Sequence, residues 1–214
     1  MADKRLTPEL LLAAYASGIF PMAESRDDPD IYWVDPKMRG VLPLDGFRVS
    51  RSLARRLRKT DYHVTIDHSL DAVLDGCADR DETWINDTIR GLTHALHRRG
   101  NAHSIEVWVG SKIIGGVYGI TLGGAFFGES MFSDARDGSK IALTWLVDHL
   151  RRCGFTLFDT QFVTPHLISL GAIEVPRNDY HEALTEAIIT PTSMQKVALE
   201  TDRYAVLQRM TQTS

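Results

Sequence analysis

The sequence predicts an α+β fold with a mixed, largely antiparallel sheet, preceded by a small N-terminal domain. Residues 103–133 alternate apolar and polar side chains between glycine-containing turns, which is typical of an antiparallel meander. Residues 137–154 form a strongly apolar helical segment, and a strand-like segment, residues 155–162, follows it. Residues 18–46 are rich in Pro, Gly and Asp, which indicates loops with short extended pieces between a first helix and the rest.

Composition limits the class of protein. A chain of 214 residues can form one well-packed domain with a smaller appendage. No apolar run approaches the roughly 20 residues of a membrane span, so we expect no membrane association. The formal net charge of -4 argues against a bulk nucleic-acid coat, which is usually strongly basic. Cys77 and Cys153 lie far apart without metal-ligand spacing, so we expect no disulfide, no zinc site and a cytoplasmic location.

Local signals place the elements of the N-terminal part. Thr7 can cap a first helix that has Pro8 in its first turn and ends at Gly18. The loop-rich segment after it is a candidate substrate-side surface. Residues 50–59 indicate a second helix capped by Ser50.

We place a domain boundary near Asp61, where the second helix ends and the strands of the main sheet begin. The expected division is a small N-terminal domain with a basic helix, a main domain, and a C-terminal tail: residues 1–61, 62–195 and 196–214. The remaining predicted elements are a strand at 63–67, helices at 68–79 and 86–100, a short helix at 164–171, a strand at 172–177, and a C-terminal helix.

Glu129 is a candidate binding residue, because it is an acid beside a glycine in an otherwise apolar strand. A carboxylate in such a place must be paired or must bind something. One interpretation is a buried Glu paired with an Arg elsewhere. The other is that Glu129, with its neighbour Ser130, forms a negative site for a cationic group of a substrate.

Asp159 and Gln161 are two positions apart in a predicted strand, so their side chains should point to the same face and could hydrogen-bond each other. A carboxylate that orients a neutral amide could help an attacking amine lose a proton. The alternative is that both residues form the polar outer face of an edge strand.

The second helix carries a basic face that could contact phosphates with salt-dependent affinity. Leu53 and Leu57 should point away from it and dock the helix. A basic helix face can equally be only solvated. The candidate phosphate-binding residues are Arg51, Arg55, Arg56, Arg58 and Lys59.

Other sequence patterns are weaker indications of a binding or catalytic site. Trp84 could stack on a nucleobase or belong to the core. The paired glycines at 115–116 and 123–124 do not form a phosphate loop that opens a helix, and the histidines show neither metal-ligand spacing nor a nucleophile motif. We therefore expect no nucleoside triphosphate site, no metal and no cofactor.

Together, several motifs resemble one family in their order along residues 6–189, the bacterial leucyl/phenylalanyl-tRNA protein transferases. The resemblance implies a main domain similar to the acetyltransferase-like fold of the GCN5-related class. The motifs are LLAAYASGIFP, VSRSLARRLRK, ETWIND, AHSIEVWVG, GGVYGITLGGAFFGESMFS, GSKIAL, FDTQF and LGAIEVPR.

The resemblance also implies the reaction. The α-amino group of a protein that begins with Arg or Lys attacks the ester carbonyl of leucyl-tRNA or phenylalanyl-tRNA, and methionyl-tRNA is used less well. The new N-terminal residue marks the acceptor for degradation by the N-end rule pathway. An aminoacyl ester is already activated, so transfer needs positioning and electrostatic help but no cofactor. We expect a monomer.

Residue by residue, the resemblance implies roles for the candidates above. Gln161 matches a glutamine that attracts a proton from the attacking amine, and Asp159 matches the acid that polarises it. Glu129 matches the residue that meets the cationic side chain of the acceptor, and Trp84 matches an aromatic residue near the terminal adenosine. The basic helix matches the tRNA-binding cluster. The positions that line the family's pocket for the transferred side chain correspond in this sequence to Val117, Phe126, Leu143 and Leu150.

Two departures from the family pattern stand out. Met22 follows Gly-Ile-Phe-Pro where the family commonly has Trp, so a rigid stacking partner for the adenosine is replaced by a more flexible side chain. The chain also begins close to the first family helix, so we expect an abbreviated small domain.

Two other functions compete with this interpretation. One is an acyl or peptidoglycan-type aminoacyl transferase of related fold with another donor or acceptor, and an acyl-CoA donor would favour a glycine-rich turn that opens a helix. The other is a non-catalytic tRNA-binding or protein-binding module that kept the fold.

Overall fold

The structure is a computed structural model that describes residues 6–22, 32–59, 61–80, 83 and 85–212. In these ranges the helices are α1 Pro8–Ala16, α2 Arg51–Leu57, α3 Leu70–Ala78, α4 Asp87–Arg98, α5 Gly138–Cys153, α6 Pro165–Ser169, α7 Arg177–Ile188 and α8 Arg203–Thr211. The strands are β1 Phe20–Met22, β2 Tyr32–Val34, β3 Met38–Val41, β4 His63–Ile66, β5 Ala102–Val109, β6 Lys112–Leu122, β7 Ala125–Ser133, β8 Leu157–Gln161 and β9 Ile173–Pro176.

The prediction of an α+β fold with a large mixed sheet is confirmed. Seven strands form the sheet in the order β4-β5-β6-β7-β8-β3-β9, and β1 pairs with β2 separately. Strands β5, β6 and β7 form the predicted antiparallel meander, in which Val117 pairs with Ile105 on one side and with Met131 on the other. Helix α5 then connects β7 to β8, which run parallel. The crossover helix is necessary because parallel neighbours cannot be joined by a tight turn.

The pairing between β7 and β8 stops partway along the strands. It covers Ala125 with Leu157, Phe126 with Phe158, and Phe127 with Asp159, and the rest of β7 continues beyond this point. A gap therefore opens between the two strands directly after Asp159.

Strand β3 comes from the loop-rich N-terminal segment but lies inside the large sheet. It is antiparallel to β8 on one side and to β9 on the other. The sheet thus contains residues from both sides of the boundary expected near Asp61. The prediction that residues 18–46 form loops with short extended pieces is confirmed, since β1, β2, β3 and a short 3₁₀ helix at Leu44–Gly46 are its regular elements among the described residues.

Helix α5 lies at the centre of the larger core, on one face of the sheet. Thirteen of its 16 residues are buried, so it is covered on nearly every side. Helix α8 covers it, with Val206 and Met210 buried and with Arg209 paired to the buried Asp148 at 2.6 Å. The opposite face of the sheet carries a second core, to which α1, α4 and α7 contribute. Phe126 and Phe127, which are adjacent in β7, point into the two different cores.

Candidate active site

Asp159 lies at the centre of the site, on the sheet's interior strand β8, and is fully buried. Its carboxylate accepts four hydrogen bonds. Oδ1 accepts from Arg39 Nε at 2.9 Å and from the Gln161 backbone N–H at 2.7 Å. Oδ2 accepts from Arg39 Nη2 and from the Tyr180 hydroxyl, both at 2.6 Å. The edge-strand interpretation of this segment is therefore wrong, because β7 and β3 cover both sides of β8.

Arg39 is as buried as its partner, with 1% of its side chain exposed. Its guanidinium lies between two aromatic rings, 4.4 Å from the centre of Phe20 and 4.5 Å from the centre of Tyr180. The third nitrogen, Nη1, donates to the Gly18 carbonyl at 3.0 Å. Arg39 therefore connects the end of α1, strand β1 and helix α7 to the strand that carries Asp159.

Gln161 has a left-handed backbone, with φ of +63°, which is uncommon for a residue other than glycine. This conformation breaks the alternation of side chains along β8, and the Phe162 N–H donates to the Thr160 carbonyl at 2.6 Å across it. The Gln161 amide then donates from Nε2 to Glu129 Oε1 at 3.2 Å. The expectation that the side chains of Asp159 and Gln161 bond each other is wrong, because that expectation assumed regular strand geometry. Asp159 contacts the backbone of Gln161 instead.

Glu129 is half-buried on β7, across the gap from Gln161. Its Oε1 accepts the Tyr15 hydroxyl at 2.6 Å as well as the Gln161 amide. Burial raises its pKa to about 7; the Tyr15 hydrogen bond and the charge of Arg39 oppose that rise, and the charge of Asp159 adds to it. Among the described residues no ion pair to Glu129 is formed, so the interpretation as a buried Glu paired with an Arg finds no support, and the buried acid–arginine pair involves Asp159.

A cavity of about 250 Å³ fills the gap between β7 and β8. Four of the sequence candidates line it: Val117, Glu129, Ser130 and Leu143. The remaining walls are largely apolar, and they come from residues that sequence reasoning missed: Gly128, Met131, Phe158, Phe162 and Leu167, together with Arg80, Thr160 and Thr164.

Two of the predicted pocket residues lie behind the cavity wall. Phe126 and Leu150 are buried in the larger core and are not among the lining residues. Phe126 packs edge-on against Phe158, with ring centres 5.1 Å apart, and so supports a residue that does line the cavity. The hydroxyl of Thr160 is buried and has no hydrogen-bond partner among the described residues.

The two candidates for stacking on adenosine have different outcomes. Met22 lies on β1, partly buried against the core that contains α1 and α7, and it does not line the cavity. Trp84 lies outside the described residues.

Helix α2 presents the basic face that the sequence predicts. Leu53 and Leu57 are buried, while four of the five cationic side chains are exposed. Arg56 differs, since it pairs with Asp61 at 2.6 Å and covers the Tyr62 ring at 5.2 Å. The exposed side chains are those of Arg51, Arg55, Arg58 and Lys59.

A shallow groove of about 400 Å³ continues this basic face onto a second segment of the chain. Arg55, Arg56 and Lys59 line one side, and Arg136, from the loop before α5, lines the other. Arg136 is 88% exposed and was missed because it lies in no basic run of sequence. The neighbouring Asp137 lies 3.7 Å from its guanidinium.

A larger cavity of about 720 Å³ lies beside α3, where Asp75, Asp79, Lys112 and Asp134 line it. None of the candidate site residues lines it, whereas four of them line the smaller cavity, although neither Asp159 nor Gln161 lines either one. We therefore assign the site to the smaller cavity, which carries Glu129 on its wall. In the part of the chain that the structure describes, no group of three or more His, Cys, Asp or Glu side chains is arranged to hold a metal ion. None of the described helices combines the length and the apolar character needed to cross a bilayer.

The cavity has apolar walls and the carboxyl group of Glu129, which is hydrogen-bonded to the Gln161 carboxamide behind it. This arrangement can hold an apolar group beside an amine, as a group-transfer protein requires. Comparison with known proteins names the family. The sequence model of the leucyl/phenylalanyl-tRNA protein transferase family matches residues 41–185. The sequence model of the N-terminal domain of that family matches residues 4–37. The chain belongs to this family.

Curated relatives agree with the family models. A leucyl/phenylalanyl-tRNA--protein transferase of Cereibacter sphaeroides (strain ATCC 17023) is 59% identical over the full length of both chains. One of Ruegeria sp. (strain TM1040) is 57% identical over 98% of this chain and 99% of its own. The solved structure of FemX has 13% identity and a TM-score of 0.48 over 72% of this chain and 59% of its own, which is too weak to support a conclusion.

The raised pKa of Glu129 predicts a pH-dependent difference in stability between the native protein and its Glu129→Gln variant. The folded carboxyl keeps its proton up to pH about 7, while the unfolded chain loses it near the usual 4.5. Between these values the native state binds more protons, so the free energy of unfolding of the native protein should fall with rising pH. Urea unfolding of both proteins from pH 4 to pH 8 measures the difference. Parallel pH profiles would contradict it.

Proposed function

We propose that the protein transfers a leucyl or phenylalanyl group, and less efficiently a methionyl group, from aminoacyl-tRNA to the α-amino group of proteins that begin with Arg or Lys. The main support for this proposal is the hydrogen bond of 3.2 Å from the Gln161 amide to the Glu129 carboxyl, which lies on the wall of an apolar cavity. The product would be marked for degradation by the N-end rule pathway.

The cavity between β7 and β8 receives the apolar side chain of the donor. Val117 and Leu143 contribute apolar walls, as expected from the sequence. Full burial of a Leu or Phe side chain is worth about 1.5–3 kcal/mol. One methylene more or less changes binding by only about 1–3 kcal/mol, which accounts for the use of several apolar amino acids.

The reaction needs an attacking amine, an ester and one proton transfer. The amine nitrogen forms a bond to the ester carbonyl carbon, and the bond from that carbon to the terminal ribose oxygen breaks. The proton that the amine gives up is taken by the leaving hydroxyl of the tRNA, so no other reactant is consumed. Because Nε2 of Gln161 is held by Glu129, its Oε1 is left to accept a hydrogen bond from the amine as positive charge develops.

Glu129 is placed to meet the cationic side chain of the acceptor. Both of its hydrogen bonds among the described residues use Oε1, from Tyr15 and Gln161. The other oxygen can therefore face a guanidinium or ammonium group. A charge-assisted hydrogen bond of this kind is about twice as strong as a neutral one.

Phosphates of the tRNA lie along the basic face of α2 and the groove beside it. The support is the exposure of Arg55 and Lys59 together with Arg136 across the groove. The terminal adenosine lies toward Met22 and Trp84, as the family pattern implies. Such a reaction takes place where aminoacyl-tRNA is made, in the cytoplasm, and requires neither a cofactor nor a second copy of the chain.

The finer fold assignment is also a proposal. We assign residues 62–195 to an acetyltransferase-like catalytic domain of the GCN5-related class, after a small N-terminal domain that contributes β3 to its sheet and before a C-terminal tail whose helix α8 covers α5. Its support is the antiparallel meander that leads through α5 into a parallel strand, with a gap where the parallel pairing stops.

Transfer of radiolabelled leucine from charged tRNA tests donor and acceptor together. We expect label on a peptide that begins with Arg and none on otherwise identical peptides that begin with Asp or Glu, because a carboxylate at the acceptor position would repel Glu129. Label only on the acidic peptides would keep the donor and reject the acceptor. No label on any peptide would favour a binding module.

Replacing Arg55 with Ala should weaken the use of charged tRNA and lower its dependence on salt. Each phosphate contact contributes about 0.9 to the slope of log affinity against log salt, so one lost contact should lower the slope by about that amount. The Michaelis constant for leucyl-tRNA between 50 and about 200 mM salt measures this effect. Arg98→Ala, an exposed arginine on α4, is the matched control. An unchanged slope would place tRNA elsewhere.

A further inference from the structure

We propose that Arg39 and Tyr180 are positioning residues, which act on the transfer reaction through Asp159 and the backbone of Gln161. The inference rests on the proposed function, because it assigns a task to the same site. It departs from the expectation that Asp159 polarises the Gln161 amide directly.

The hydrogen-bonding capacity of Asp159 is already filled. An ionised carboxylate offers about four acceptor positions. Arg39 occupies two of them, the Tyr180 hydroxyl occupies a third, and the backbone N–H of Gln161 occupies the last. The carboxylate therefore has no position left for the Gln161 amide or for a proton in transit. Glu129 is the side chain that contacts this amide.

Asp159 holds the peptide group that leads into Gln161. The hydrogen bond of 2.7 Å from the Gln161 N–H to Asp159 Oδ1 fixes the plane of the peptide bond between Thr160 and Gln161. The left-handed turn of Gln161, with φ of +63°, starts from this plane and is closed by the hydrogen bond of 2.6 Å from the Phe162 N–H to the Thr160 carbonyl. If Asp159 turned away, this peptide plane would lose its restraint, and the Gln161 amide would leave Glu129.

The direction of the Asp159 carboxylate is in turn set by its two partners. Arg39 forms two parallel hydrogen bonds with it, and this fork fixes the plane of the carboxylate in a way that a lysine cannot. Tyr180 adds one more hydrogen bond from α7, and its ring lies against Arg39. Neither residue lines the cavity, so both act at a distance from the substrate.

A double-mutant cycle on the full chain tests this chain of contacts. Arg39→Lys should lower kcat by about tenfold to about a hundredfold, because small misplacements of a catalytic group have effects of this size. The Michaelis constants for leucyl-tRNA and for the Arg peptide should change by less than about twofold, because Arg39 touches neither substrate. In the Gln161→Ala background the same substitution should leave kcat within about twofold, since the amide that it positions is absent.

Tyr180→Phe provides a second, milder cycle, and it decides the question if Arg39→Lys does not fold. It removes one of the four hydrogen bonds to Asp159 and keeps the ring over Arg39. We expect a smaller loss of kcat, again absent in the Gln161→Ala background. Tyr62→Phe is the matched control, because it deletes a buried hydroxyl that bonds the Leu57 carbonyl at 2.8 Å, away from the site, and should leave kcat unchanged.

The outcomes separate this inference from the proposed function. Equal losses of kcat in both backgrounds would assign Arg39 and Tyr180 a merely structural role and overturn the inference. An unchanged or higher kcat in the Tyr180→Phe variant would also overturn the inference. If Asp159 acted through its negative charge, loss of the Tyr180 hydrogen bond would strengthen the effect of that charge and raise kcat. A Gln161→Ala variant with full activity would remove the proposed role of Gln161 and the inference with it. Failure of the native protein to label any peptide would reject the function itself.

Discussion

The buried ion pair between Arg39 and Asp159 is the interaction on which the site depends. Both side chains are almost completely excluded from solvent, so each would be left with an uncompensated charge if the other were lost. Breaking such a pair typically costs about 3–5 kcal/mol. The cost of burying the two charges is offset by two parallel hydrogen bonds, by the Tyr180 hydroxyl, and by the aromatic rings on both sides of the guanidinium. Strand β3, which comes from the loop-rich N-terminal segment, is thereby held inside the large sheet.

The sheet itself creates the space that the reaction needs. Parallel pairing between β7 and β8 ends at Phe127 and Asp159, and the cavity lies where it ends. The left-handed backbone of Gln161 then directs an amide across this gap toward Glu129. Local strain of this kind persists only where the surroundings over-determine the conformation, and here the interior position of β8 and the hydrogen bond from the Phe162 N–H to the Thr160 carbonyl do so.

The two carboxyl groups of the site have different surroundings and therefore different uses. Asp159 is saturated with donors, one of them an arginine, and serves to hold its neighbours in place. Glu129 accepts hydrogen bonds from two neutral donors on one oxygen, and burial raises its pKa to about 7. A carboxyl group at the wall of a cavity that can accept further hydrogen bonds is suited to bind a cation. A carboxylate whose acceptor positions are all occupied is suited to hold neighbouring residues in place. Environment alone makes this difference.

The sequence by itself determined the family, the order of helices and strands, and most of the chemical groups of the site. These follow from local periodicity, from capping residues such as Thr7 and Ser50, and from motifs that lie close together along the chain. The tertiary structure alone decided how the groups are connected. Arg39 reaches Asp159 across 120 positions of sequence and Tyr15 reaches Glu129 across 114, and no local pattern encodes such contacts. The left-handed φ of Gln161 could not be predicted from the sequence either, because strand periodicity assumes an extended φ and only the packed sheet imposes a different one.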